Sequence, residues 1–147
     1  MSQHSVRPAR EAGFSLIEIM VVLVILGILA SVIVPRVMDS PDKARVTKAR
    51  SDVSALENAL HRYKMDNFNY PSTDQGLAAL VEQPGGTPEA RNWQKGGYIN
   101  RLPKDPWGND YQYLNPGAHG EIDIFSYGAD GAEGGEEIAS DIGNWGE

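Results

Sequence analysis

Between Phe14 and Val34 the chain runs for 21 residues with a single charge, Glu18. As a helix rising about 1.5 Å per residue, this stretch would be about 31 Å long, enough to cross the hydrocarbon core of a bilayer. A helix apolar all round, as this one would be, packs in lipid or among other apolar helices. A carboxylate near mid-membrane costs about 2.5 to 3.5 kcal/mol on insertion scales, so Glu18 calls for a positive partner. A snorkelling or protonated glutamate near the end of the span is the plainer alternative.

The flanks do not describe an ordinary secretory signal. Arg7 and Arg10 give a basic start, but the apolar stretch is too long, and "ILGILASVIVP" offers leucine where a cleavage site wants a small residue. Charge does not fix orientation either, since Arg36, Lys43 and Arg45 after the span answer the two arginines before it. What remains leaves room for one small domain.

Composition removes several function classes. A net charge of -7 argues against a nucleic-acid partner, which would select an excess of Lys and Arg. There is no cysteine, so neither disulfides nor thiolate metal sites are available. The three histidines, His4, His61 and His119, lack zinc-ligand spacing. No nucleophile elbow or phosphate loop is present, so no enzyme is expected.

The short polar, basic segment ends in "EAG" directly against Phe14, and "GFSLIE" followed by some twenty apolar residues resembles the class III signal of type IV pilins and type II secretion pseudopilins. The resemblance implies that a prepilin peptidase removes residues 1–13 by cutting between Gly13 and Phe14, then methylates the new Phe14 amine. Glu18 lies four residues on, on the same helix face. It is therefore expected to neutralise the Phe14 ammonium, most usefully that of a neighbouring subunit, and so set the register of a filament built on residues 14–34.

Residues 35–147 are expected to form a soluble head. Pro35 and "DSPD", with Ser40 as N-cap and Pro41 at the first helical position, predict a break between about 35 and 41. Helix then resumes to about 66, because Val46, Ala49, Val53, Leu56, Leu60 and Tyr63 recur at intervals of three and four. Ser72 and Gln75 have capping-box spacing ahead of a short helix over about 74–82, ended by Gly85 and Gly86. Strands are predicted at Gln112 to Leu114 and Ile122 to Ser126. The fold class is α+β, a long helix with an apolar first half and an amphipathic second half packed on a small antiparallel sheet. Trp93, Trp107, Tyr98 and Tyr111 are read as packing residues.

"YPSTDQGLAALV", "GGYINRLPKDPWG", "HGEIDIFSYGADG" and "DIGNW", in that order, resemble the general secretion pathway protein G family, the major pseudopilins of type II secretion systems. The likeness spans nearly the whole chain from Gly13 and implies a type IV pilin-like fold. Many pilins close their C-terminal loop with a disulfide, which this chain cannot make.

From Glu121 to Glu147 there are eight acidic residues, six glycines and no Lys or Arg. Alone, such a segment should stay disordered. Yet Ile122, Ile124, Phe125, Ile138, Ile142 and Trp145 look like burial, and a hard divalent cation would reconcile the two, since Ca2+ takes carboxylate and backbone oxygens together. The loop is not an EF-hand. The family resemblance implies a calcium loop over about 127–141, with side-chain ligands at Asp130 and Asp141, backbone oxygens of Tyr127 and Ala132, and an oxygen of Ser140. Ser140 stands where some members carry a second aspartate, and Glu133 or Glu137 is the candidate substitute.

The resemblance implies a structural filament subunit in the bacterial inner membrane, single-pass with its head in the periplasm. It would polymerise with copies of itself and work with minor pseudopilins, a prepilin peptidase and an inner-membrane assembly platform. Two other readings stand beside it, a type IV pilin or competence pseudopilin, and a membrane-anchored calcium-binding module that recognises a secreted ligand without polymerising.

Overall fold

A computed structural model of the chain describes residues 13–146, without the side chains of 32–40. The leader expected over 1–13 lies, Gly13 apart, outside the described residues. The chain divides into two compact units at Asp39/Ser40.

Helix α1 spans Leu16–Asn67. The break predicted between 35 and 41 does not occur, and Ser40 and Pro41 do not begin a helix but lie within one. A proline removes one intrahelical bond and strains its own turn, whereas a break exposes eight unpaired backbone groups at two new ends. With long helical segments on both sides, the continuous path is the cheaper one.

In the first unit every described large apolar side chain is exposed, from Ile19 at 49% to Phe14 at 82%. Among the described residues no helix is long and apolar enough to cross a membrane; the expected span continues over residues 32–34, whose side chains lie outside the description.

In the second unit the predicted seam is the core. Ala49, Val53, Leu56, Leu60 and Tyr63 are all buried, joined by Ala59, while Val46 at the edge is half-buried. Each fully buried Val or Leu side chain among them contributes about 1.5 to 3 kcal/mol on removal from water. Val53, Leu56, Ala59, Leu60 and Tyr63 form one cluster with Leu77, Leu80, Tyr98, Tyr111, Tyr113, Ile122 and Ile124, with Trp93 packed against it.

After α1 the chain turns through Phe68, whose φ is 66° and whose N–H donates to Lys64 O at 2.7 Å, an αL cap. The reciprocal capping box forms: Ser72 N donates to Gln75 Oε1 at 2.9 Å and Gln75 N to Ser72 Oγ at 3.2 Å. It closes a turn in which Gly76 N donates to Ser72 O at 2.9 Å, and only a 3-10 turn, Leu77–Leu80, without a side-chain cap, follows in place of the helix predicted over 74–82. Gly76 sits between box and turn at φ 59° and ψ -167°, which prevents an α-helix from propagating out of the box.

The sheet holds three antiparallel strands in the order β1 (Gln112–Leu114), β2 (Asp123–Ser126) and β3 (Ile142–Gly143). Tyr113 pairs with Ile124, and Ser126 with Ile142. Every residue of β2 is buried, as expected of a central strand. The sequence allows two or three strands but does not place β3; at two residues it is below the length that alternation can reveal.

Candidate functional site

The processing junction is exposed and irregular, since Gly13 and Phe14 precede the helix and a side chain at Gly13 would meet nothing within 4 Å. Ser15 is the residue before α1, and its pairing with Glu18 is reciprocal: Ser15 N donates to Glu18 Oε2 at 3.1 Å and Glu18 N to Ser15 Oγ at 3.3 Å. This is a capping box, which satisfies two orphan donors of the helix start and places a carboxylate at the positive end of the macrodipole. The sequence reading found Glu18 but missed this partner, although Ser-x-x-Glu before an apolar run is the signal for it. The box engages only Oε2, and Oε1 accepts nothing among the described residues.

The tail is tied down by Asn144. Its Oδ1 accepts from Ile124 N at 3.0 Å, and its backbone N donates to Ile124 O at 3.1 Å, continuing the β2–β3 pairing beyond Gly143. Its Nδ2 donates to Glu57 Oε1 on α1 at 3.0 Å and to Ile122 O at 3.1 Å. Next to it Trp145 stacks on His119, with centroids 3.9 Å apart. The His119 ring is in turn 2.9 Å from Asp123 Oδ2, and the N–H groups of Ala118 and His119 donate to the same carboxylate. Burial disfavours the charge on Asp123, but the bonds from the His119 ring and the two N–H groups outweigh it and hold the carboxyl below its ordinary value. These links do the work of the missing disulfide, and they escaped a sequence reading because their partners lie up to 87 positions apart.

Asp105 of "PKDPWG" is a second buried anchor. It accepts from Trp107 N at 3.0 Å and Asn109 N at 2.8 Å, while Ser126 Oγ donates to it at 2.6 Å. The motif therefore locks a loop to β2.

The residues expected to hold calcium lie on a folded loop. Tyr127 precedes a 3-10 turn over Gly128–Asp130, and Ser140 follows another over Glu137–Ala139, and the two turns pack on each other. Gly128, at φ 71°, makes this approach possible, since a Cβ there would come within 2.7 Å of Ser140 O. Asp130 Oδ1 accepts from Ala132 N at 3.1 Å, and Asp141 Oδ2 from Gly134 N at 3.0 Å. Ser140 Oγ donates to Glu137 O at 2.7 Å. Glu133 and Glu137 are exposed. Among the described residues no three His, Asp or Glu gather as a metal cluster. One atom is unexplained: Asp141 Oδ1 is buried with no hydrogen-bond partner. A buried carboxylate oxygen without a donor is costly, and a cation would satisfy it.

A long amino-terminal helix entered through a processing motif, followed by a small α+β head, defines a type IV pilin-like protein. The profile described as "Type II secretion system (T2SS), protein G" matches residues 36–145, and that of the "Prokaryotic N-terminal methylation motif" matches residues 8–34. The type II secretion system core protein G of Vibrio cholerae is 62% identical over 136 residues, 92% of each chain. That of Pseudomonas aeruginosa is 60% identical over 136 residues, 92% of this chain and 96% of the relative. The crystal structure of the major pseudopilin from the type 2 secretion system of enterohaemorrhagic Escherichia coli matches with TM-score 0.66 and 55% identity, over 74% of this chain and 92% of that one. The chain belongs to the type II secretion system protein G family, whose members are pseudopilins, structural subunits of the pseudopilus. Membership favours the filament subunit over the pilin and recognition-module readings, goes with a structural rather than an enzymatic role, and fits an inner-membrane-anchored protein.

Proposed function

We propose that the protein is cut between Gly13 and Phe14 by a prepilin peptidase, methylated on Phe14, and held in the inner membrane by residues 14–34 with its head in the periplasm until it joins a pseudopilus. Growth of the filament, capped by minor pseudopilins and fed by an inner-membrane platform, drives folded exoproteins through the outer membrane.

The observation that carries this reading is the half-used carboxylate of Glu18. Oε2 caps its own helix at Ser15, while Oε1 is left to accept a charge-assisted hydrogen bond from the Phe14 ammonium of a neighbouring copy. Removing residues 1–13 takes away two arginines and one glutamate, which changes the net charge from -7 to -8. The heads therefore repel one another, and bound cations would ease their packing.

Calcium is proposed for the loop 127–141, with Asp141 Oδ1 as the support. Asp130, Asp141, Tyr127 O, Ala132 O and an oxygen of Ser140 would hold it, with Glu133 or Glu137 completing the shell. Bound there, the ion supplies positive charge that fixes the acidic loop to the sheet.

Mass spectrometry of the protein from cells tests the pathway. A first residue of methylated Phe14 is expected, and a chain still beginning at Met1 in assembled material would overturn it.

A further inference from the structure

The head carries more acid than base, and one of its exposed cations, Arg101, lines a groove. Arg101 is exposed and has no ion-pair partner among the described residues. Lys48 is held by Asp52 at 2.7 Å and Lys104 by Asp110 at 2.7 Å. All three bases line one groove of about 570 Å³, together with Leu56 and Leu102, the latter 39% exposed. An unpaired guanidinium beside an open apolar side chain is the pattern of a contact surface rather than of a solvated face.

The complementary surface is on the same chain. Among the described residues the carboxylates of Glu133 and Glu136 meet no donor and no cation, and both are exposed. Their loop is folded against residues 139–141, of which Ser140 and Asp141 share a cavity with Arg50, Ser54 and Glu57 of α1. The groove takes Lys48, Asp52 and Ala55 from that helix instead. At 3.6 residues per turn these two sets lie on opposite flanks of the buried stripe. A subunit thus cannot fill its own groove with its own loop.

Resting on the filament reading above, we infer that the acidic loop Gly131–Glu137 of one subunit docks into the Arg101 groove of a second copy, with Glu136 facing Arg101. Two different patches that complement each other make a heterologous contact, and repetition of such a contact generates an open helical polymer rather than a closed dimer. Glu136 is not among the residues proposed for the calcium shell.

The chain has no cysteine, which makes the contact testable by disulfide formation in cells that assemble filaments. The double variant Arg101→Cys with Glu136→Cys should give a ladder of linked oligomers, since each copy is joined on two sides, while either single variant gives no species beyond a dimer. Filaments seen by microscopy without a ladder would overturn the docking and leave the filament reading standing. Absence of filaments in the wild type would overturn both. Charge exchange covers a double variant that does not assemble. Arg101→Glu should lower filament number by about fivefold or more, and adding Glu136→Arg should restore it. An Arg101→Glu protein that assembles like the wild type, or an exchange that restores nothing, counts against the contact.

Discussion

The two halves of α1 obey the same backbone geometry and meet opposite fates. Along Leu16–Ser31 the described large apolar side chains are half or more exposed, whereas Val53, Leu56, Leu60 and Tyr63 are at most 3% exposed. The second half buries one stripe because it is apolar on one stripe, and the head supplies a single partner surface. The first half is apolar all round, and a helix of that kind is covered on all sides by lipid or by other helices. Among the described residues its apolar side chains are exposed, and lipid or other helices are what would cover them. The comparison teaches that the polymer is written into the half that looks unfinished, and the subunit's own stability into the other.

The contrast is broken most severely by a cavity in the seam. Leu60→Ala should destabilise the head of the full chain by about 2 to 5 kcal/mol, read by denaturant unfolding in detergent, while an equally drastic truncation at Ile25 should leave that value unchanged. Saturating the proposed calcium site comes next, with about 2.7 kcal/mol expected at a hundredfold excess over Kd; a head whose Tm ignores both calcium and EGTA speaks against the site. A smaller effect is expected at Asp123. Its carboxyl is held below the ordinary value, so its contribution is complete above about pH 4, the unfolded value, and is lost as pH falls through the lower folded value. Asp123→Asn should therefore cost about 1 to 2 kcal/mol near pH 7 and nothing in strong acid, a difference that parallel unfolding curves would reveal.

Sequence reasoning succeeded where a pattern repeats. The seam repeats over six positions, and strands β1 and the body of β2 stand between clear turn residues, so both were legible. The long apolar run advertised itself in the same way. Features that depend on one residue were not legible. Gly76 shortens a helix to a 3-10 turn, and Pro35 and Pro41 fail to break one, because in each case the outcome depends on the cost of the alternative rather than on the residue's own preference. Asn144 and Asp105 are anchors only through partners distant in sequence. At the functional site, Glu18 was conspicuous as a lone charge, while its bond to Ser15 was hidden by attention to membrane depth. The orphan oxygen of Asp141 is a property of packing, which no spacing could reveal.

The central claim is that Glu18, beyond capping its own helix, serves the contact between copies and not the fold of the head. It is tested most directly by counting filaments in cells that express Glu18→Ala, with the Tm of the head of the full chain measured alongside. Near-complete loss of filaments at an unchanged Tm is expected. Filaments as numerous as those of the wild type would contradict the account.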